Sequence, residues 1–360
     1  MFDYKCNGAV GGLVRLGRNQ THFFGGFRGH GLNAISFTHE SSQSGQETSL
    51  IALSLKGLLL HVDETLGGEI TQIEFDGIEL LAYQEWIKPN NARENNALSQ
   101  ARKDWLTNYR GGWQLLVPNA GSECEVDGVF HPFHGEWSRT HVSIVEHSDV
   151  LLRMRATVQT SIVVERVISL ESDPARIKLT TTLKNESDEP TSFIWGEHPA
   201  FLALPGDRID MPTASVANSD GVSVGNWPAS SNANSLDVVS AEAPYESVHY
   251  VTNVSSGWAA LRRTEVGVAL AWDARDFPHV WLWRENGSPG FPFFGQASLV
   301  AIEPASTWPG MGLNEARKRG QAFTLLPSET RSTVVTMVPF SETKFPVCNV
   351  TVGGQIDFAS

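Results

Sequence analysis

Alternation with a period of two dominates the middle of the chain. In RIKLTTTLKN, residues 176–185, Ile177, Leu179, Thr181 and Leu183 point one way while Lys178, Thr180, Thr182 and Lys184 point the other, as a half-buried strand requires. Upstream, LLRMRATVQTSIVVERVISL is rich in β-branched residues and alternates over most of its length, and ESDP, Glu171 to Pro174, then supplies a turn. A second turn, NESDEP, Asn185 to Pro190, delivers the chain into SFIWGEHPAF. GVALAW from Gly267, HVWLW from His279, SLVAIE from Ser298 and STVVTMV from Ser332 read as further strands, each bounded by Gly, Pro, Asp or Asn. Helical patterning is confined to short stretches around NALSQARKDWL and NEARKRG, and the βα alternation of a parallel sheet is absent. The pattern predicts a mainly β fold: a large antiparallel β-sandwich with few short helices.

The chain has 360 residues, a length that one large sandwich can absorb. From about Asp207 to Glu246 it is rich in Ser, Asn, Ala and Pro, with strand patterning on both sides, so this segment is expected to be a loop excursion within a single domain spanning residues 1–360. Hydrophobic residues make up 41% and charged residues 19%, a balance that supports a packed core. The net charge of −13 repels phosphate backbones and anionic lipid surfaces, which argues against nucleic-acid and membrane partners. The most apolar run, SLIALSLKGLLLHV, is too short to cross a bilayer and carries Lys56 near its middle. The first residues lack a basic leader with an apolar block, and a cytoplasmic protein is expected. Cys6, Cys124 and Cys348 are widely separated, which suits reduced thiols better than a disulfide framework or a CxxC metal site. Nothing in the sequence fixes an oligomeric state.

Several chemistries find no motif. The glycine-rich GGFRGHG near Gly25 lacks GxGxxG spacing, and P-loop, GxSxG and HExxH signatures are missing. FHPFHGEWSRTH holds His131, His134, Glu136 and His141, and a His, His, Glu set on a β scaffold suits a non-haem iron or other transition-metal site. Three positions apart on a strand, however, His131 and His134 face opposite sides unless Pro132 breaks the pleat. In TSFIWGEHPAFLAL, His198 sits between an acidic residue and a proline in an apolar setting, where a packed core residue, a metal ligand and a working acid are all open readings. SLVAIEPASTWPG ends an apolar strand in Glu303, and Pro304 is expected to stop the ladder there, leaving the carboxylate at the strand exit. His198 has the same relation to SFIW and Pro199.

The order RGGWQLLVPNAG, HGEWSR, WGEHPAF and AIEPAS resembles the aldose 1-epimerases, or galactose mutarotase-like superfamily, from about Tyr109 to Ala305 by motif order and over the whole chain by length. The resemblance implies a mutarotase-like supersandwich that interconverts the α and β anomers of a sugar without metal or organic cofactor. It implies His198 as general acid towards the ring oxygen, Glu303 as general base on the anomeric hydroxyl, and Arg110 and His134 as binders of sugar oxygens. Asp273, in AWDARD, is a candidate for a third acidic residue by position, and Trp283, with Trp195, Trp113 or Trp308, is a candidate for stacking on a pyranose face. HGEWSR places Arg139 one residue further from His134 than the familiar HGFAR form, so no binding role is carried to Arg139. Clustered Arg or Lys for a phosphate is not apparent. The alternatives are a non-catalytic carbohydrate-binding protein on the same fold and another carbohydrate-active isomerase or lyase.

Overall fold

The structure is a computed structural model and describes residues 50–84, 99–231, 234–242 and 244–359. All of these fall in one compact unit, Thr48–Ser360. The expectations for Cys6, for GGFRGHG and for a domain beginning at residue 1 lie outside the described residues.

Two large antiparallel sheets make the unit. The eleven-stranded sheet runs in the order Leu50–Leu55, Leu58–Asp63, Glu69–Phe75, Trp113–Leu116, Gly196–Leu202, Ser298–Ala305, His279–Asn286, Tyr245–Thr252, Ser215–Asn218 and Ser223–Asn226, with Ile78–Glu79 paired beside Glu69–Phe75. The eight-stranded sheet runs Arg208–Asp210, Gly257–Arg262, Gly267–Trp272, Thr330–Phe340, Ala175–Asn185, Ile162–Ser172, Leu151–Thr157 and Ser143–Ser148. The predicted strands appear in these sheets, and the two helical patterns become the short helices Gln100–Asn108 and Gly312–Lys318.

Alternation explains the layering. Ile177 and Leu179 from the smaller sheet, and Phe201, Val280, Leu282, Val300 and Ile302 from the larger, turn inward into one apolar cluster between the sheets. At roughly 25 cal/mol per Å² of apolar area removed from water, this interior is the main stabilising term. One charged pair is buried within it: Arg166 grips Glu197 through two bonds of 2.8 Å, and Trp113 Nε1 donates to the same carboxylate at 2.7 Å. Glu197 therefore faces away from its neighbour His198, into the core.

One expectation changes. The segment 207–246 is no plain loop, since Arg208–Asp210 edges the smaller sheet while Ser215–Asn218 and Ser223–Asn226 edge the larger. Such short edge strands pair through their backbones and need no long alternation, so their Ser- and Asn-rich sequence conceals them. The apolar run SLIALSLKGLLLHV supplies a hairpin, Leu50–Leu55 against Leu58–Asp63. Among the described residues, no helix is long and apolar enough to cross a membrane.

Candidate active site

His198 and Glu303 lie on neighbouring strands, Gly196–Leu202 and Ser298–Ala305. Gly196 pairs with Ala305 and Ala200 with Ala301, so the register sets His198 opposite Glu303 on one face. That face is the outer one, because the alternate positions Glu197, Phe201, Val300 and Ile302 point into the core. His198 Nε2 lies 3.6 Å from Glu303 Oε1, and the two residues are 3% and 4% exposed. The row extends in both directions: Gln114 stands opposite His198, Trp281 opposite Glu303, and Tyr250 opposite Trp281. Neither following proline ends its strand as the sequence led us to expect, since the strands continue to Leu202 and Ala305. A proline has no N–H to donate, and pairing between the two strands steps from Gly196 to Ala200 across the Pro199 position.

The short helix Gln100–Asn108 covers the pair. Its Ser99 cap accepts the Arg102 N–H at 3.2 Å. Trp105 and Tyr109 stack with ring centroids 4.3 Å apart, and the Tyr109 hydroxyl lies 3.4 Å from His198 Nδ1. The chain then enters the RGG turn, where Gly111 has φ +106° and a Cβ would fall 1.8 Å from the Ala82 carbonyl oxygen. Only glycine permits that approach.

His134 reaches the same cluster from the HPFHG loop. Asn119 anchors this loop by donating to the Ser122 and Pro132 carbonyls while its Oδ1 accepts the Leu313 N–H. Gly135, at φ +78°, passes so close that a Cβ would sit 2.5 Å from the Val117 oxygen. The Gly121 N–H donates to His134 Nδ1 at 3.1 Å. An accepting Nδ1 leaves the proton of the neutral ring on Nε2, which makes His134 a donor there. Its ring lies 5.4 Å from that of His198 and 4.6 Å from that of Trp105.

Burial sets the electrostatics. It pushes His198 down to about 4 and Glu303 well above the usual carboxylate range, so both favour their uncharged forms. Burial first, and then the neighbouring His198 ring and Arg102 guanidinium, which oppose a positive charge there, hold His134 well below the usual imidazole range. The Tyr109 hydroxyl is held well above its ordinary value by burial, with Glu303 and Glu69 adding to the effect. Glu303 Oε2, Gln114 Oε1 and Trp105 Nε1 are buried without a hydrogen-bond partner. Buried polar atoms are normally satisfied, so three orphans around one histidine mark a place suited to a polar ligand.

Not every residue singled out from the sequence joins this cluster. Trp283 does: its ring lies 6.1 Å from His198 and stacks on Phe293. Arg110 stands further along, half-buried beside Glu69 and Tyr83, on which its charge acts. Asp273 does not join, because it follows Gly267–Trp272 of the other sheet and its carboxylate is bound by Arg275. Trp113 and Trp195 are fully buried between the sheets, so neither can stack on a ligand at the outer face. Trp308 packs 6.1 Å from Tyr250 with the Arg319 guanidinium 5.2 Å above its ring. Glu136 accepts the Gln159 N–H at 2.6 Å, and His131 lies in the small strand Val129–His131. Among the described residues, no group of three or more His, Cys, Asp or Glu is placed to hold a metal ion. Sequence reasoning missed Trp105, Tyr109, Gln114 and Trp281. Tyr109 adjoins the RGG motif, but the face it presents follows from the helix before it.

The fold is that of the aldose 1-epimerase and galactose mutarotase-like proteins. It resembles the Slr1438 protein from Synechocystis sp. PCC 6803 with a TM-score of 0.64 at 16% identity, over 85% of this chain and 100% of that one. A putative aldose 1-epimerase from Escherichia coli K12 gives 0.62 at 16% identity over 81% and 99%. A galactose mutarotase-like protein from Clostridium acetobutylicum gives 0.56 at 15% over 81% and 95%. Residues 46–338 match the family model described as Domain of unknown function (DUF4432), and the chain belongs to that family. No curated protein matches the sequence.

Proposed function

We propose that the protein is an aldose 1-epimerase, interconverting α and β anomers of a sugar with His198 as acid and Glu303 as base. The observation that carries this reading is the 3.6 Å separation of His198 Nε2 and Glu303 Oε1 on the outer face of the large sheet. Opening a hemiacetal removes a proton from the C1 hydroxyl and delivers one to the ring oxygen. Both oxygens are borne on the anomeric carbon, so the groups that serve them must lie within a few ångströms of each other.

One proton suffices for the pair. In the unliganded site burial keeps it on the Glu303 carboxyl beside a neutral His198. Moving it across to His198 leaves the net charge of the pair at zero and creates the carboxylate and imidazolium that the ring opening uses. The Glu303 carboxylate takes the C1 proton as His198 gives its own to the ring oxygen. Rotation about C1–C2 and reversal of both transfers close the ring on the other face. The proton balance is complete within the pair and the sugar, so the scheme calls on no cofactor.

The surrounding residues fit binding roles. His134 Nε2–H offers a donor to a sugar oxygen, Trp283 a stacking face, and Arg110 a charged contact at the end of the row. Because Trp105 and Tyr109 lie over the pair, a sugar gains access by displacing them. The free thiols of Cys124 and Cys348 suit a reducing, cytoplasmic setting.

Polarimetry on freshly dissolved single anomers tests the reading. The wild type should speed the approach to equilibrium for at least one aldose, and His198→Ala and Glu303→Gln should each lose about 10²- to 10⁴-fold in kcat. Activity persisting unchanged in both variants would sink the assignment.

A further inference from the structure

We infer that Gln114 contacts the substrate, accepting a hydrogen bond from a neutral sugar hydroxyl, and that Glu69 positions it for this purpose. The inference rests on the mutarotase reading for the nature of the ligand.

Gln114 stands directly opposite His198 in the strand Trp113–Leu116 and is 5% exposed. Its Nε2 donates to Glu69 Oε1 at 3.0 Å. The oxygen and nitrogen of a carboxamide diverge, so an amide whose nitrogen is turned to Glu69 turns its oxygen away from that carboxyl. That oxygen is buried and has no partner. A glutamine kept only for packing or for bracing Glu69 has no reason to strand its acceptor, because an unmade buried hydrogen bond is costly. Glu303 Oε2, on the other side of His198, is a second buried orphan. The two unsatisfied oxygens flank the histidine along one cross-strand row, where a single bound molecule reaches both.

The chemistry of the donor follows from the neighbourhood. Glu69, 1% exposed, and Glu303, 4% exposed, place a carboxyl group on either side of the Gln114–His198 pair. An amide oxygen can only accept, so it disfavours an anionic oxygen, which has no proton to donate, and selects an uncharged hydroxyl. The sugar oxygen that meets Gln114 Oε1 is therefore a hydroxyl rather than a phosphate or carboxylate oxygen. Glu69 acts through Gln114: it fixes which way the amide points, and burial, which pushes its carboxyl up to about 8, favours the uncharged acid at neutral pH.

The test compares anomer exchange of D-glucose, D-galactose and their monodeoxy analogues by the wild type, Gln114→Leu, Gln114→Met, Glu69→Leu and Glu69→Gln. For one hydroxyl, the wild type should favour the parent over the deoxy sugar by roughly ten- to a hundredfold in kcat/KM. Both Gln114 variants should lose that preference while treating the other deoxy sugars as the wild type does. Glu69→Leu should show the same loss mainly in KM, and Glu69→Gln, which still offers Nε2 an acceptor, should restore it. Gln114→Met, unbranched and close in shape, answers the question if Gln114→Leu does not fold. A Gln114 variant that lowers parent and all deoxy sugars by one common factor, or changes none of them, overturns the inference. Should the wild type bind sugars without exchanging anomers, the mutarotase reading fails by itself. The same discrimination is then read from calorimetric Kd values, and its survival in Gln114→Met overturns the inference separately. A wild type that neither exchanges nor binds any sugar of the panel overturns both.

Discussion

A histidine and a carboxylic acid buried side by side on one face hold a single proton between them over a wide pH range. His198 is pushed down to about 4 and Glu303 well up, so burial favours a neutral ring beside a protonated carboxyl. As pH falls through about 4, His198 gains a second proton while Glu303 keeps its own, and the pair has no base left. The acid limb of the kcat/KM profile should therefore lie near 4, well below the ordinary imidazole value of about 6.5. A half-maximum at 6 to 7 measured against pH would contradict this electrostatic account. His198, Glu303 and His134 were legible in the sequence as motif residues and Trp283 as an aromatic candidate for stacking, and the four lie close together in the structure. Asp273 was misread because position along the chain carries no information about which sheet a strand joins. Tyr109, which touches His198 Nδ1, was invisible because its orientation depends on a helix whose nine residues show little amphipathic pattern.

At the scale of elements, the His198 strand is positioned from behind. Glu197 faces the core and is held by Arg166 of the strand Ile162–Ser172 in the opposite sheet, so the two sheets are tied beneath the catalytic candidate. Removing one partner of a fully buried pair strands the other charge, whereas removing both does not. Arg166→Met should cost about 3 to 5 kcal/mol in urea unfolding, and the combined Arg166→Met, Glu197→Leu variant should recover most of that loss. Equal destabilisation in the single and double variants would show that the pair acts by packing alone. Alternation tells that Glu197 and His198 face opposite ways, yet only the tertiary partner reveals which of them points inward. The prolines carry a similar lesson: Pro199 and Pro304 read locally as strand ends, but both lie inside strands. The ladder between them tolerates an interruption because pairing resumes from Ala200 with Ala301 onwards.

At the scale of the whole molecule, crossovers assemble the site. Strands beginning at residues 69, 113, 196, 298 and 279 lie side by side, so a row from Glu69 through Gln114, His198 and Glu303 to Trp281 draws on segments far apart in the chain. The sandwich class was legible because long strands with one buried face must alternate. Strand order was not, since each strand carries the same pattern wherever it sits, and Gln114 could not be placed beside His198 without it. The edge strands between residues 207 and 246 stayed hidden for the complementary reason, having too few alternating positions to register. The central claim is that this row ends in catalysis of anomer exchange. The most direct measurement is two-dimensional exchange NMR on the anomeric protons of an aldose panel at neutral pH, with wild type and Glu303→Gln side by side. The account predicts α/β cross-peaks for at least one sugar with the wild type, at mixing times too short for the uncatalysed reaction, and their disappearance with Glu303→Gln. Cross-peaks absent for every sugar with the wild type, or equally strong with the variant, would contradict it.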